Sequence, residues 1–428
     1  MHLKKIDNKT IKIKGEIMGK NLFEKILGGL NIFSILTLFF TSTNVFAGDD
    51  VVHWWVGDAE SKALKVIVDE YESKGGKWVD TPHNESEAAH ASVKSRVIGG
   101  NPPAAVLMVV GSSTQEWSEG GLLNDINSVA SREDWDSLLP DGVASASKHD
   151  GKYVAAPVFL STVNWRYTNK QVLKSAGVDE PMSWGAFMTS LPRIKQAGYI
   201  PLAVGGQDWQ ETLLFDHVAL GVAGAQYFRE LLDGNMKTID SDDTTRVFAG
   251  MRALEPYTDA GKAGRSWADT NNLVITGKAA YIFMGDWAKG GFLQASKKPG
   301  TDFSCQISPG SGMVLTAVDG FAFPKTSSNS EMSNQGKLAS AMMNRDVQTK
   351  AALIKGALPA RKDASTEGFD HCSQNALALL SGGSAALHWN VRDSGFKGVL
   401  KEVVSQFWNS DMSPENARKA LVDGLKQL

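Results

Sequence analysis

The sequence has few of the features that would assign it to a catalytic or nucleic-acid-binding class. It holds two cysteines and 14 prolines among 428 residues, and its 44 basic and 47 acidic residues give a formal net charge of -3. The mild charge, without any basic block, argues against a nucleic-acid partner. A phosphate-binding glycine loop, a His-Glu-x-x-His zinc motif and a Gly-x-Ser-x-Gly nucleophile motif are all missing. The eight histidines are scattered without metal-ligand spacing, so we predict no cofactor, no metal and no enzyme activity.

One apolar run stands near the N-terminus, and no later run approaches the length of a membrane span. Residues 26–40 are uncharged and mostly apolar, but they fall short of the roughly 20 residues that a span needs. Lysines precede this run and small side chains follow it, as in a secretory signal peptide. We predict a signal peptide over residues 1–47, cleaved after Ala47, with a membrane anchor as the alternative. Met18 is an alternative start that would give the signal an ordinary length.

The chain that remains after cleavage is long enough for two domains. It holds about 380 residues (428 minus 47), too many for one typical core. Both cysteines, Cys305 and Cys372, lie in this part, and an even count in an exported protein predicts one disulfide. The bond would close a loop of 67 residues (372 minus 305), which in the chain-entropy model stabilises by about 4 kcal/mol. Two buried free thiols are the alternative.

The mature chain alternates short apolar runs with amphipathic periods. This order is typical of an α/β protein whose parallel sheet is covered by helices on both faces. Strands are predicted over 51–56, 78–79, 104–110, 153–158, 199–204, 279–284 and 314–323. Helices are predicted over 59–73, 85–98, 184–197, 216–223, 227–232 and from about 397. Pro201 favours an edge position or a later start for the strand over 199–204, because proline cannot donate to a sheet ladder.

Several stretches, in this order along nearly the whole mature chain, carry a resemblance to a known family. Four are the most specific: His53–Glu60, Val93–Arg96 with Gly100–Ala104, Met284–Gly290 and Val318–Phe321. Three others support them: Gly151–Val158, Gly205–Gln210 and Lys355–Arg361. With these stretches the sequence resembles the periplasmic sugar-binding proteins of ABC importers, within family 1 of the extracellular solute-binding proteins. Its pattern is similar to that of the glucose/mannose-binding branch.

The resemblance implies a periplasmic-binding-protein-like α/β fold, in which two lobes, each with a central sheet flanked by helices, are joined by a multi-strand hinge. We expect residues 48–158 and 319–360 to form the N-terminal lobe, and 159–318 and 361–428 the C-terminal lobe. The implied protein is a periplasmic monomer that binds a monosaccharide, with glucose as the predicted sugar, and delivers it to an inner-membrane permease. Carried over by position, the implied ligand-binding residues are Trp54, Trp55, Glu60, Lys94, Trp287, Asp319, Lys355 and His388.

These residue types suit a sugar. An indole covers an apolar C–H face of a pyranose, while carboxylates accept from hydroxyl groups and ammonium groups donate to them. Two carboxylates and two lysines would keep the pocket near neutral. Trp54 and Trp55 face one ligand only if their strand ends there, because successive side chains of a regular strand point to opposite faces. Gly57 permits such an end, whereas the glycine after Asp319 is expected to loosen the loop that presents its carboxylate.

Each candidate also has a structural interpretation: core packing for the tryptophans and His388, a helix cap for Glu60, and solvated surface for Asp319 and the two lysines. Trp165, Gln207 and Trp209 are further candidates for lining the site, although packing under a loop is the favoured interpretation. Two other functions compete with a sugar-binding protein. One is a secreted glycosidase that uses Glu60 with a second carboxylate. The other is the same scaffold with a polyamine or a short peptide as its ligand.

Overall fold

The fold is built on two main β-sheets and the helices that flank them. A computed structural model describes residues 49–382, 385–387 and 392–428, of which 385–387 are described as backbone only. The predicted signal peptide and His388 lie outside the described residues. The strands are β1 (Asp50–His53), β2 (Val79–Pro82), β3 (Ala105–Val109), β4 (Lys148–His149), β5 (Lys152–Tyr153), β6 (Ala155–Thr162), β7 (Trp165–Asn169), β8 (Ile200–Ala203), β9 (Ala279–Met284), β10 (Phe303–Ile307), β11 (Val314–Ala322), β12 (Leu358–Pro359) and β13 (Ala385–Leu387).

Helices follow most of these strands. They are α1 (Asp58–Ser73), α2 (Ser86–Ile98), α3 (Ser112–Glu119), α4 (Asn127–Arg132), α5 (Trp135–Leu138), α6 (Asp141–Ala146), α7 (Lys170–Ala176), α8 (Trp184–Gln196), α9 (Asp208–Val222), α10 (Gly224–Leu232), α11 (Met236–Ile239), α12 (Asp242–Leu254), α13 (Trp267–Ile275), α14 (Trp287–Gln294), α15 (Asn329–Met342), α16 (Arg345–Lys355), α17 (His371–Ser381), α18 (Ser394–Trp408) and α19 (Pro414–Leu425). Two short 3₁₀ helices cover Glu255–Tyr257 and Ala260–Lys262.

The first sheet has the strand order β12-β6-β11-β3-β1-β2, with β13 also paired to β11. Strands β1, β2 and β3 are parallel, as the sequence predicts for this part. Beyond these three strands the sheet is mixed, because β11 runs antiparallel to both β3 and β6. Strand β11 enters this sheet from the second one, by the connection between Ile307 and Val314, and not through a crossover helix. Strand β11 can therefore run in the direction opposite to β1, β2 and β3.

The second sheet has the strand order β10-β7-β9-β8. Strand β8 pairs only with β9 in this order, which confirms the edge position predicted from Pro201. The chain leaves the first sheet after Thr162 and enters the second at Trp165. It returns between Ile307 and Val314. Two sheets flanked by helices confirm the predicted fold class, whereas the residue limits of the two lobes stay a prediction.

Burial explains which helices the sequence pattern revealed. Helix α1 shows a regular apolar face of Ala63, Leu64, Ile67 and Tyr71, all buried, and its predicted position is nearly that observed. Helix α9 begins at Asp208, eight residues before its predicted start at 216 (216 minus 208). Every residue of α9 from 210 to 220 is buried, so this helix has no polar face and no amphipathic period to detect. In the described part of the chain no helix combines the length and the apolar character that crossing a membrane demands.

The predicted disulfide is confirmed. Cys305 in β10 is bonded to Cys372 in α17, and both residues are buried. The bond joins a strand of the second sheet to a helix 67 residues further along the chain. It therefore restricts a long loop of the unfolded chain.

We expect the double substitution Cys305→Ser/Cys372→Ser to lower the free energy of unfolding by about 2–5 kcal/mol, because the unfolded chain regains the entropy that the bond removes. Urea unfolding of both proteins, with and without a reductant, measures the effect. Reductant should shift the unfolding midpoint of the wild type and leave that of the double variant in place. Equal stability of the two oxidised proteins would contradict the expectation.

Candidate functional site

The tryptophan pair lies directly after the end of β1. The strand stops at His53, three residues before its predicted end at Val56. The Trp55 amide donates to Nδ1 of His53 (3.2 Å), and Nε2 of His53 lies 2.8 Å from the Asp80 carboxylate. Trp54 is half-buried, whereas Trp55 is 2% exposed. The strand therefore ends before the tryptophan pair, which is the condition for both indoles to face one ligand. In the structure the two indoles lie in different surroundings.

Trp54 opens a row of aromatic side chains that ends on a lysine. Its ring lies 5.3 Å from that of His90, which lies 5.3 Å from that of Trp117. The Lys94 ammonium stands 5.2 Å from the centre of the Trp117 ring. Burial lowers the pKa of His90 to about 4, so its imidazole is neutral, and Nε2 donates to the Leu107 carbonyl (3.2 Å). We call Trp54, His90, Trp117 and Lys94 the aromatic row.

Trp55 leads instead to a buried ion pair. Its ring packs at 5.3 Å from Phe159, and the Lys355 ammonium lies 5.2 Å from the centre of the Trp55 ring. Lys355 is 1% exposed and donates to Oδ2 of Asp319 (2.9 Å). The Ser161 hydroxyl donates to the same oxygen (3.1 Å). A buried ammonium of this kind is stable only with such partners.

Two further carboxylates face the same ammonium. Burial alone would lower the pKa of Lys355, but the charges of the carboxylates outweigh this effect and raise the pKa above its ordinary value. The carboxylate–lysine cluster consists of Glu60, Asp286, Asp319 and Lys355. Asp286 is the member that the resemblance did not supply, although the stretch Met284–Gly290 contains it.

Glu60 stands in the first turn of α1, where its Oε2 accepts from the amide of Gly57 (3.1 Å). Gly57 is the residue before the helix, and Glu60 caps the first turn, as its structural interpretation predicts. Burial raises the pKa of Glu60 to about 7, and the Asp319 charge adds to this effect against Lys355 and the Gly57 amide. Glu60 therefore changes charge near neutral pH.

Asp319 and Lys355 are held by the backbone of their elements. Asp319 lies within β11, at a shift of register against β6, and not in the loose loop that the sequence predicts. The following Gly320 is required by packing, since a Cβ atom there would lie 2.6 Å from the Ala156 carbonyl oxygen. Lys355 is the last residue of α16, where the helix dipole favours a cation. Gly356 then ends the helix at a φ of 91°.

Three more tryptophans lie around the cluster. Trp287 is the first residue of α14 and half-buried, and its ring centre lies 6.2 Å from that of Trp209. Trp267, the first residue of α13, covers Gly57: a Cβ atom on Gly57 would lie 3.1 Å from the Trp267 ring and 3.0 Å from Oε2 of Glu60. Trp267 is not among the residues predicted from the sequence, because nothing in its local pattern separates it from a packing residue.

The structure thus brings most of the predicted residues to one region. Glu60, Asp319 and Lys355 meet in the cluster with Trp55 over them, and Trp287 directly follows Asp286. Trp54 and Lys94 meet in the aromatic row. In the cluster the charges of three carboxylates act on one ammonium, while Lys94 lies over the Trp117 ring. His388 lies outside the described residues.

This fold and its buried polar site define an α/β solute-binding protein. The structure is similar to that of the solute receptor AcbH, described as having an exclusive preference for β-D-galactopyranose, with a TM-score of 0.75 at 18% identity over 88% of this chain and 98% of that chain. A chitin oligosaccharide binding protein gives a TM-score of 0.76 at 18% identity, with the same two shares covered. Likeness at this identity establishes the fold.

The chain belongs to the bacterial extracellular solute-binding protein family, whose model matches residues 57–337. It is 36% identical to a probable sugar-binding periplasmic protein of Brucella melitensis over 87% of this chain and 90% of that protein. A probable sugar-binding periplasmic protein of Rhizobium meliloti is 35% identical over 90% of this chain and 95% of the relative. Members of the family bind solutes outside the cytoplasm, which confirms the predicted extracytoplasmic location and the prediction that the protein is not an enzyme.

We expect the ionisation of Glu60 to lower the stability of the ligand-free protein as the pH rises from about 4.5 to about 7. A carboxyl whose pKa is raised on folding binds its proton more tightly in the folded state, so stability falls where the unfolded state releases that proton first. Glu60→Gln cannot ionise and keeps an acceptor for the Gly57 amide. Relative to the wild type, its free energy of unfolding should rise across this range by about 2–3 kcal/mol.

Urea unfolding at pH 4.5, 6 and 7.5 measures this difference. The matched control is Glu72→Gln, which changes an exposed glutamate of the same helix and should follow the wild type at every pH. A stability difference between Glu60→Gln and the wild type that stays constant with pH would contradict the expectation.

Proposed function

We propose that the protein is the substrate-binding subunit of an ABC sugar importer, which captures a monosaccharide in the periplasm and delivers it to the permease of the inner membrane. Glucose is the first candidate. The observation that carries the proposal is the buried carboxylate–lysine cluster with indole rings beside it. The names of the Brucella and Rhizobium relatives support a sugar. A relative from Pyrococcus horikoshii, 24% identical over 84% of this chain and 83% of the relative, bears the name of an ABC transporter extracellular-binding protein.

The cluster has the chemistry that the hydroxyl rim of a sugar requires. Each hydroxyl buried without a partner costs about 1–3 kcal/mol, so a sugar site must supply both acceptors and donors. Glu60 and Asp319 supply carboxylate oxygens, and Lys355 supplies an ammonium group. Hydrogen bonds to charged groups are about twice as strong as those between neutral groups. Burial of Glu60 and Lys355 keeps water from competing for the same hydrogen bonds.

The indoles supply the apolar part of the same site. Trp54 and Trp287 are half-buried, which leaves part of each ring free to cover a C–H face. Trp55 is fully packed against Phe159 and Phe321, so we assign it to the wall behind Lys355. Lys94 and His388 complete the proposed ligand set, with Lys94 placed at the far end of the aromatic row.

We further propose that capture closes the two predicted lobes about the segments that pass between the sheets. Residues Thr162–Trp165 form one such passage. Ser161 and Asp286 contact the site on either side of this passage, since the first donates to Asp319 and the second accepts from Thr162. A change in the angle between the sheets would therefore change the hydrogen-bond geometry of the carboxylate–lysine cluster.

We expect glucose to raise the melting temperature of the mature protein and to bind with a dissociation constant in the micromolar range or below, equivalent to about -8 kcal/mol or better. Thermal shift and calorimetry with glucose, galactose, mannose, xylose and several disaccharides measure this. Putrescine and a short peptide serve as the non-sugar arm, because three carboxylates around one lysine also suit a cation. If no sugar stabilises the protein, or if putrescine displaces glucose, the proposal fails.

We expect Trp54→Ala to raise the dissociation constant for the bound sugar about tenfold, because the variant loses an apolar face at the end of the aromatic row. Calorimetry with the best sugar of the panel measures the change. Trp78→Ala is the matched control: Trp78 is also half-buried, but it packs on Tyr71 near the start of β2. The control should bind within about twofold of the wild type, and equal affinity of all three proteins would remove Trp54 from the site.

A further inference from the structure

Asp286 ties the second sheet to the first at the point where the chain passes between them. It follows β9 and precedes α14, while its partner Thr162 is the last residue of β6. The Asp286 amide donates to the Thr162 carbonyl (2.9 Å). In return, Oδ2 of Asp286 accepts from the amide (2.7 Å) and the hydroxyl (3.2 Å) of Thr162. This reciprocal pairing fixes the turn that carries Trp287.

The same turn packs closely against the end of α16. A Cβ atom on Gly356 would lie 2.9 Å from the carbonyl oxygen of Asp286, so only glycine fits directly after Lys355. One turn into α14, a Cβ atom on Gly290 would lie 2.9 Å from the carbonyl oxygen of Lys355. The position of the Lys355 backbone is therefore set by Asp286 and the helix that follows it.

The carboxylate of Asp286 is not fully satisfied. Asp286 is 3% exposed, and among the described residues its Oδ1 has no hydrogen-bond partner. Such a group costs stability, because buried polar atoms normally have partners. Burial raises the pKa of Asp286 to about 6, against the Lys355 charge and the hydrogen bond from Thr162. A buried, under-satisfied carboxyl next to a binding site indicates a functional role.

The charged and titratable groups that face Asp286 come from several elements. They are Lys355 of α16, Asp319 of β11, Lys289 of α14 and the phenol of Tyr167 of β7. Glu60 acts on the same ammonium from α1. Lys289 is itself engaged by Asp370 (3.1 Å) and Ser373, which leaves Lys355 as the cation that Asp286 shares with Asp319.

We propose that Asp286 is a positioning residue of the sugar site, which sets the affinity through Lys355 and Trp287 without touching the sugar. This inference rests on the proposed function. The carboxylate adds to the Asp319 charge in raising the pKa of Lys355, and it fixes the turn before Trp287. Both effects bear on groups assigned to the ligand.

The test is Asp286→Asn, which keeps an acceptor for the Thr162 amide and removes the charge. We expect the variant to bind the best sugar about five- to tenfold more weakly at pH 7.5, as expected for the loss of one contact in a coupled network. Its ligand-free melting temperature should stay close to that of the wild type, because Asp319 and Glu60 still balance Lys355 and Asn keeps an acceptor for the Thr162 amide. Weaker binding with a lower melting temperature would indicate a merely structural role and overturn the proposal, as would unchanged affinity.

The pH profile separates the two carboxyl groups. Wild-type affinity should increase as the pH rises from about 5 to about 7, while Asp286 and then Glu60 ionise. Asp286→Asn should lose the part of this rise near pH 6 and keep the part near pH 7. The control is Asp370→Asn, which removes a carboxylate that pairs with Lys289 and still caps α17. It should bind within about twofold of the wild type and keep the full profile.

A readout without sugar distinguishes this proposal from the proposed function. The Lys355 ammonium is followed by NMR of labelled lysine and assigned with Lys355→Met. In Asp286→Asn the pKa of Lys355 should fall, because one of the charges that raise it has gone. A lowered pKa in a protein that binds no sugar would defeat the proposed function and retain the role of Asp286 at Lys355. An unchanged pKa overturns that role.

Discussion

The ammonium of Lys355 is the constraint on which the site depends. A cation that is 1% exposed must be matched by anions, since an unpaired charge in the interior is far less stable than one in water. Its carboxylates come from three separate parts of the chain: Glu60 from α1, Asp286 from the turn after β9, and Asp319 from β11. Because these groups surround one ammonium, the site combines the N-terminal end of α1, the C-terminal end of α16, the turn after β9 and strand β11. No hydrophobic pattern in the sequence records this requirement.

Close backbone approach follows from this arrangement. Gly320 lets β11 come against the Ala156 carbonyl beside Asp319, and Gly356 lets the end of α16 come against Asp286. Both glycines directly follow a charged member of the cluster. Both glycines allow a neighbouring backbone carbonyl to come closer than a Cβ atom would permit. For the glycine after Asp319 this differs from the sequence prediction of a loosened loop. At Gly356 the positive φ adds a second reason for glycine, because it ends the helix immediately after the lysine.

The sequence was informative where periodicity or an ordered motif carries the signal. Strand β9 was predicted with its observed bounds, and the apolar face of α1 revealed that helix. The roles of Asp286, Trp267 and His90 in the site were not predicted. Their partners are distant in sequence, and each residue looks locally like a turn residue or a packing residue. The antiparallel direction of β11 in the first sheet was not predicted, because strand direction depends on where the chain crosses between sheets. Residue patterns within β11 do not contain that information.

A surplus of buried carboxylates over ammonium groups is unfavourable for the ligand-free protein and favourable for a neutral ligand rich in hydroxyl groups. Such a ligand brings hydroxyl donors in addition to those of Lys355 and the neighbouring Ser161. The raised pKa of Glu60 reflects this unmet demand, since burial is its leading cause. These buried acceptors thus lower the stability of the ligand-free protein. In the function proposed above, the sugar satisfies this demand with hydrogen bonds whose strength depends on the same burial that raises the pKa of Glu60.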